Sequence, residues 1–226
     1  MKANEGSPTP PPEDRRQVKA RRTREALAEA AVELVLAHGL GEVTVEAIAE
    51  RADVTRRTFS RHFTGKEDAA LDFTRADGAR INAALRERPA DEPPLRAYRN
   101  AVGDWLADRE TPGWHHRPVL RRLYATLDTE PALFAAYERI RVDAQDESVR
   151  IIADRLGTDP ARDPRPEVVV GAAAGVLTAA LRTWARGADQ DAGDLAALVT
   201  RAYDELIGEA ARSAATSDLA SRASRE

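Results

Sequence analysis

The sequence predicts an all-α fold: an N-terminal three-helix helix-turn-helix domain followed by a larger C-terminal helical bundle, about nine helices in total. Apolar residues recur along nearly the whole chain at the i, i+3, i+4, i+7 spacing that lines one helical face. No β-branched run alternates with period two between turn signals. Gly and Pro punctuate the pattern at intervals suited to helix ends.

Residues 1–14 contain SPTPPP, which neither helix nor sheet accommodates, and read as a flexible tail. A first helix carries Leu27, Ala30, Ala31, Leu34 and Val35 and ends at His38-Gly39, where Gly supplies a left-handed cap. Val45, Ile48, Ala49 and Ala52 mark a short second helix. Val54, Phe59 and Phe63 mark the inner face of a third, and Leu71, Thr74, Gly78, Ile81 and Leu85 that of a longer fourth. After Pro89, Pro93 and Pro94, helices follow at Leu95–Trp105 and Leu120–Leu127, then a long one from Phe134 to Leu156 closed by Gly157. Two more are expected at about 166–186 and 194–212, with residues 213–226 frayed. The expected domains are therefore 15–66 and 67–212, joined through the fourth helix.

With no cysteine, disulfides, thiolate nucleophiles and zinc ribbons are excluded, which suits a reducing cytoplasm. No secretory leader is read at the N-terminus, and the longest uncharged run, Val168 to Leu181, is broken by Gly171 and Gly175, so a buried helix is expected there and no membrane partner. The net charge of −4 conceals an asymmetry. Residues 15–66 hold eleven basic and seven acidic side chains, a balance of +4, whereas residues 67–226 hold 22 and 28, a balance of −6. The positive charge sits where a phosphate-binding surface would need it.

Within Gly39–Leu71, Thr44 can cap the second helix and Glu46 suits its first turn. Thr55 can cap the third. Two short helices joined by a tight turn form the unit that presents its second helix to the DNA major groove. Arg56, Arg57, Arg61 and Lys66 project from that helix and the start of the next, and an arginine fork can bind guanine O6 and N7 together. The run Arg15, Arg16, Lys19, Arg21, Arg22, Arg24 contains no acid. Cations at a helix N-terminus oppose its dipole, so phosphate or minor-groove contact explains them better than folding does.

At these residues the sequence resembles the tetracycline-repressor (TetR) family of bacterial transcription regulators. The match comprises the first helix ending in His38-Gly39, then Thr44-Val45, Ile48-Ala49, Ala52, Val54-Thr55, Thr58-Phe59, His62-Phe63 and Lys66-Glu67. The resemblance implies a homodimer on a palindromic DNA operator, repressing transcription, with an all-α second domain that binds a small effector. By position it implies phosphate contacts from Thr44, Ser60, Arg61, His62 and Lys66, and base reading by Thr55, Arg56 and Arg57. The sequence departs from the family in three places: Asp53 stands where glycine is usual, Arg57 replaces a small residue and Ser60 an aromatic.

Every Trp and Tyr lies beyond residue 97. Trp105, Trp114, Tyr124, Phe134, Tyr137 and Trp184 fit a cavity wall as well as a core, with His115 and Arg182 as orienting polar groups, so an apolar or aromatic effector is expected. Adjacent His115 and His116 make poor metal ligands, and no metal or cofactor is expected. Leu195, Leu198, Val199, Ala202 and Leu206 form an apolar stripe, and Ala172 and Gly175 allow close helix approach; together they are the expected dimer seam. No nucleophile elbow, H-x-x-x-H or recognisable Ser, His, Asp spacing occurs, so no enzyme is expected. The alternative, a ligand-binding protein or enzyme that keeps this fold without binding an operator, is opposed by the intact Arg56, Arg61 and Lys66.

Overall fold

A computed structural model describes residues 15–187 and 194–223, with side chains to residue 213. The tail reading for residues 1–14 lies outside the described residues. Among these there are ten α-helices and two 3₁₀ turns and no strand: α1 Arg15–His38, α2 Val45–Arg51, α3 Arg56–Phe59, α4 Lys66–Ala70, α5 Asp72–Glu87, α6 Pro94–Ala107, α7 Pro118–Ala125, α8 Pro131–Leu156, α9 Arg165–Arg186 and α10 Leu195–Ala223. The 3₁₀ turns are Trp114–His116 and Thr126–Asp128. The chain divides into two compact units, to Ala70 and from Leu71.

The tenth helix arises because the expected fourth helix is two. The backbone at Leu71 departs from helical geometry (φ −102°, ψ 9°), separating a five-residue α4 from α5. Sequence periodicity runs through such a break unmarked, because Leu71 is itself fully buried and keeps the apolar pattern. The last helix also continues to Ala223, past the frayed end expected at 213. Its Ala-rich composition favours helix there. Gly39 and Gly157 take positive φ and cap α1 and α8 as expected.

In the N-terminal unit α1 packs on α2 and α4, and α2 packs on α3. Leu27, Ala31, Ile48, Phe59 and Phe63 form its interior. In the second unit α5 lies against α6 and α8, and α9 is packed by α6, α7, α8 and α10. A polar clamp ties α5 to α8: Asn82 Nδ2 donates to the Ala144 carbonyl at 3.0 Å, and Ser148 Oγ donates to Asn82 Oδ1 at 2.6 Å. The Tyr203 hydroxyl, fully buried, donates to the Ala173 carbonyl at 2.8 Å and fixes α10 on α9.

By length and composition α9 could cross a membrane, yet nearly half of its most apolar window is buried within the chain. Ala173, Ala174, Leu177, Ala180 and Leu181 are in the core, whereas Val168, Gly171, Ala172, Gly175 and Ala179 lie on its exposed side. The expected seam on α10 needs correction at two residues. Leu195 and Val199 are buried within the protomer, so the stripe read from the sequence is in part this helix's own core face. Leu198, Ala202 and Leu206 are half-buried.

Asp53 is the one non-glycine with positive φ (52°) among the described residues. It lies between α2 and α3, where its amide donates to the Glu50 carbonyl, and a β-carbon there costs roughly 1–2 kcal/mol, eased for Asp by its short polar side chain. Asp53→Gly is expected to stabilise the N-terminal unit by about 0.5–1 kcal/mol, and Asp53→Val to destabilise it by more than that. Urea unfolding of the three proteins, followed by far-UV circular dichroism, checks the order.

Candidate nucleic-acid interface and ligand cavity

Helices α2 and α3 are capped as their sequences require. Thr44 Oγ1 accepts from the Ala47 amide at 3.1 Å, and Thr55 Oγ1 accepts from the Thr58 amide at 3.2 Å. Each hydroxyl keeps its own proton; that of Thr55 lies 3.1 Å from Thr58 Oγ1, whereas Thr44 is exposed and can donate to an anion. Buried Phe59 and Phe63, with ring centroids 5.7 Å apart, anchor α3 and the turn after it. With those rings inward, Arg56, Arg57 and Arg61 point to solvent. Arg56 is ion-paired to Glu46 at 3.0 Å, an exposed pair that an incoming phosphate or base can break at little cost.

Four other expected contact residues have work inside the protein. Lys66 Nζ donates to the carbonyls of Leu40 (2.7 Å) and Val43 (2.8 Å), so two of its three protons hold the segment after α1. Ser60 Oγ donates to the Arg56 carbonyl at 3.2 Å. The ring of His62 is half-buried and tilted against Phe63, while its carbonyl accepts from Arg24 Nη1 at 2.8 Å. The Arg24 guanidinium also lies 4.4 Å above the Phe63 ring, which removes it from the basic run read as an arm. Arg15, Arg16, Lys19, Arg21 and Arg22 are exposed along one end of α1.

In the second unit a cavity of about 90 Å³ lies between α5, α6, α8 and α9. Trp105, Trp114, Tyr124 and Tyr137 line it as expected, together with Tyr98, Thr74, Asp77, Arg141, Gln145 and Thr178. Trp114 stacks on Tyr124 at 4.8 Å, and the Tyr124 hydroxyl donates to that of Tyr137 at 2.9 Å. Burial pushes both phenols up, so they stay neutral.

Four sequence candidates fall outside the cavity wall. Phe134 is on the surface beneath the Arg182 guanidinium. Arg182 itself is bound to Asp128, whose carboxyl Arg186 and Arg182 hold down to about 2. Trp184 packs edge-on against Trp114 and under Arg121, which donates to the carbonyls of Trp184 and Gly187 at the end of α9. His115 sits edge-on to Trp105 at 4.9 Å; burial, then the neighbouring His116, lowers it to about 4, so it is neutral at physiological pH.

Asp77 was not a sequence candidate. A charged residue one helical turn from Thr74 and Ile81 on a helix with many charges gives no pattern that separates it from a solvated face. It is 7% exposed, and burial raises its carboxyl to about 6, opposed in lesser degree by the Trp105 indole N–H, the Arg80 charge and the Trp114 amide.

The pattern described as bacterial regulatory proteins, tetR family, matches residues 27–70, and that of the MftR C-terminal domain matches residues 92–211. Over 200 residues the chain is 38% identical to the HTH-type transcriptional regulator TcmR of Streptomyces glaucescens, covering 86% of this chain and 87% of the relative. Among solved structures, NalD of Pseudomonas aeruginosa, the secondary repressor of the MexAB-OprM multidrug efflux pump, aligns at 23% identity with a TM-score of 0.49, over 82% of this chain and 96% of its own. The fatty acid degradation regulator FadR from Bacillus halodurans aligns at 19% identity and a TM-score of 0.47, over 82% and 95%.

A carboxyl whose folded value lies above its unfolded one favours folding while protonated. That contribution is fully present below the unfolded value near 4 and is lost as pH rises through about 6. Ionised Asp77 should therefore cost at most about 3 kcal/mol at neutral pH. Asp77→Asn is expected to raise the urea-unfolding free energy by roughly 1–3 kcal/mol at pH 7.5 and to change it little at pH 4. An equal effect at both pH values would remove ionisation as the cause.

Proposed function

The chain belongs to the tetR family of bacterial regulatory proteins, and from that premise we propose that it is a DNA-binding transcriptional repressor acting as a homodimer, and that its residues divide the work as follows. Arg56 and Arg57 read bases from the N-terminal end of α3, with Thr55 beside them. Thr44, Arg61 and the exposed cations of α1 hold phosphates, with lesser shares for Ser60 and His62, and Lys66 contributes its remaining proton while it braces the unit. The observation that supports this division is the solvent exposure of Arg56, Arg57 and Arg61 on a helix pinned from behind by buried Phe59.

A symmetric dimer sets two such helices about 34–36 Å apart, so the operator is palindromic. The exposed side of α9, Val168-Gly171-Ala172-Gly175-Ala179, is the seam, joined by Leu198, Ala202 and Leu206 of α10. Val168 is 66% exposed in the protomer, a state a dimer would relieve. The cavity between α5, α6, α8 and α9 holds a mostly aromatic effector, which lowers operator affinity by binding better to the state that does not fit DNA. The protein works in the cytoplasm, where the operator is, and needs neither cofactor nor catalysis.

Genome-wide footprinting supplies the operator, and fluorescence anisotropy on it tests the assignment. Arg57→Ala is expected to raise the operator Kd about 10- to 100-fold and to relax preference at one base pair of each half-site. Its binding to unrelated DNA should change less. Proportional losses on both DNAs would make Arg57 a phosphate contact.

Gly175 has open space where a β-carbon would stand, so Gly175→Glu fits the folded protomer and opposes only a partner on that face. Sedimentation is expected to show monomers with unchanged helical content. A dimer in that variant would place the seam elsewhere.

A further inference from the structure

Residues lining the cavity described above carry three buried polar atoms without hydrogen-bond partners, Gln145 Nε2 and a pair of opposite character on α5 and α6. Asp77 Oδ2 and Trp105 Nε1 are both fully buried and both unpartnered, on residues that are 7% and 3% exposed and that line the same cavity. The indole N–H lies near enough to ease the burial of the carboxyl, yet it completes no bond of good geometry. An unsatisfied buried polar group is costly, more so when charged, so a pair of them on one cavity wall favours a ligand of matching chemistry. One atom accepts and the other donates.

We propose that the effector carries an aromatic hydroxyl that seats between these two residues, donating to Asp77 Oδ2 and accepting from Trp105 Nε1. This rests on reading the cavity as the effector site. The pairing selects the group. A hydrocarbon satisfies neither atom, and an ammonium can donate to Asp77 but has no lone pair for the indole N–H. A hydroxyl satisfies both. The ring that bears it is selected by the walls, where Tyr98, Trp114, Tyr124 and Tyr137 supply flat apolar faces. The cavity, about 90 Å³, is below the ~150 Å³ known to take a benzene ring, so ligand entry moves side chains.

Calorimetric titration of the full chain at pH 7.5 with 2-naphthol, naphthalene and 1-naphthylmethylammonium tests the selection. 2-Naphthol is expected to bind at least tenfold tighter than either of the others. Asp77→Leu and Trp105→Phe are each expected to reduce its advantage over naphthalene to threefold or less while naphthalene affinity stays within threefold. Because each variant removes one partner by itself, a folding failure in one leaves the other to decide. Equal binding of 2-naphthol and naphthalene, an advantage that survives both substitutions, or tighter binding of the ammonium would overturn the proposal. Operator release, followed by anisotropy with the same compounds, separates the two readings. A hydroxyl preference without release supports the seat and counts against its role as the effector site, whereas release that ignores the hydroxyl overturns the seat alone.

Discussion

A helix of four residues cannot hold itself in water, because nucleation costs more than so few hydrogen bonds return. α3 is such a helix, and its direction is set by the burial of Phe59, 1% exposed, with Phe63 behind it. The exposed arginines Arg56 and Arg57 therefore owe their placement to two rings on the buried side. The caps at Thr44 and Thr55 settle where the two helices begin, and Asp53 accepts a strained backbone so that the turn between them stays short. The exposed cationic surface and the core contact are thus carried by opposite faces of the same few residues.

The second unit makes the reverse choice. Its interior is not fully resolved into apolar contacts: a carboxyl, an indole N–H and a pair of phenols sit where hydrocarbon would be more stable. Natural proteins retain such costs at sites that do something, and a cavity flanked by aromatic faces is where a small molecule can return the energy. The clamp of Asn82 and Ser148 between α5 and α8, beside that cavity wall, shows a buried polar group fully satisfied, which sets Asp77 apart from it.

The sequence made the helices, their Gly caps and the family legible because periodicity and capping are local. It did not show the break at Leu71, since a buried leucine fits both one helix and two. It placed Trp105, Trp114, Tyr124 and Tyr137 together but added Phe134 and Trp184, because large aromatic residues look alike until their neighbours are known. Tyr98 was missed for the same reason in reverse, and Asp77 because its place among many charges on α5 gives no pattern that separates a buried carboxyl from a solvated one. The α10 stripe mixed residues facing inward with residues facing out, because Leu195 and Val199 share a heptad-like spacing with Leu198, Ala202 and Leu206, and the seating of α10's Tyr203 against α9 tells the faces apart.

Lys66 has a consequence for how genetic data on this protein are to be understood. Its ammonium is lodged between two backbone carbonyls, so any loss-of-function allele at this codon reports two defects at once. Neutral replacement strips those carbonyls of a donor, and arginine brings a wide planar group to a pocket shaped for a compact one. Repression lost through Lys66 is then no evidence of direct contact with the operator, and suppressors of such an allele should be sought among residues that restore the loop at 40–43 as much as among those that add positive charge.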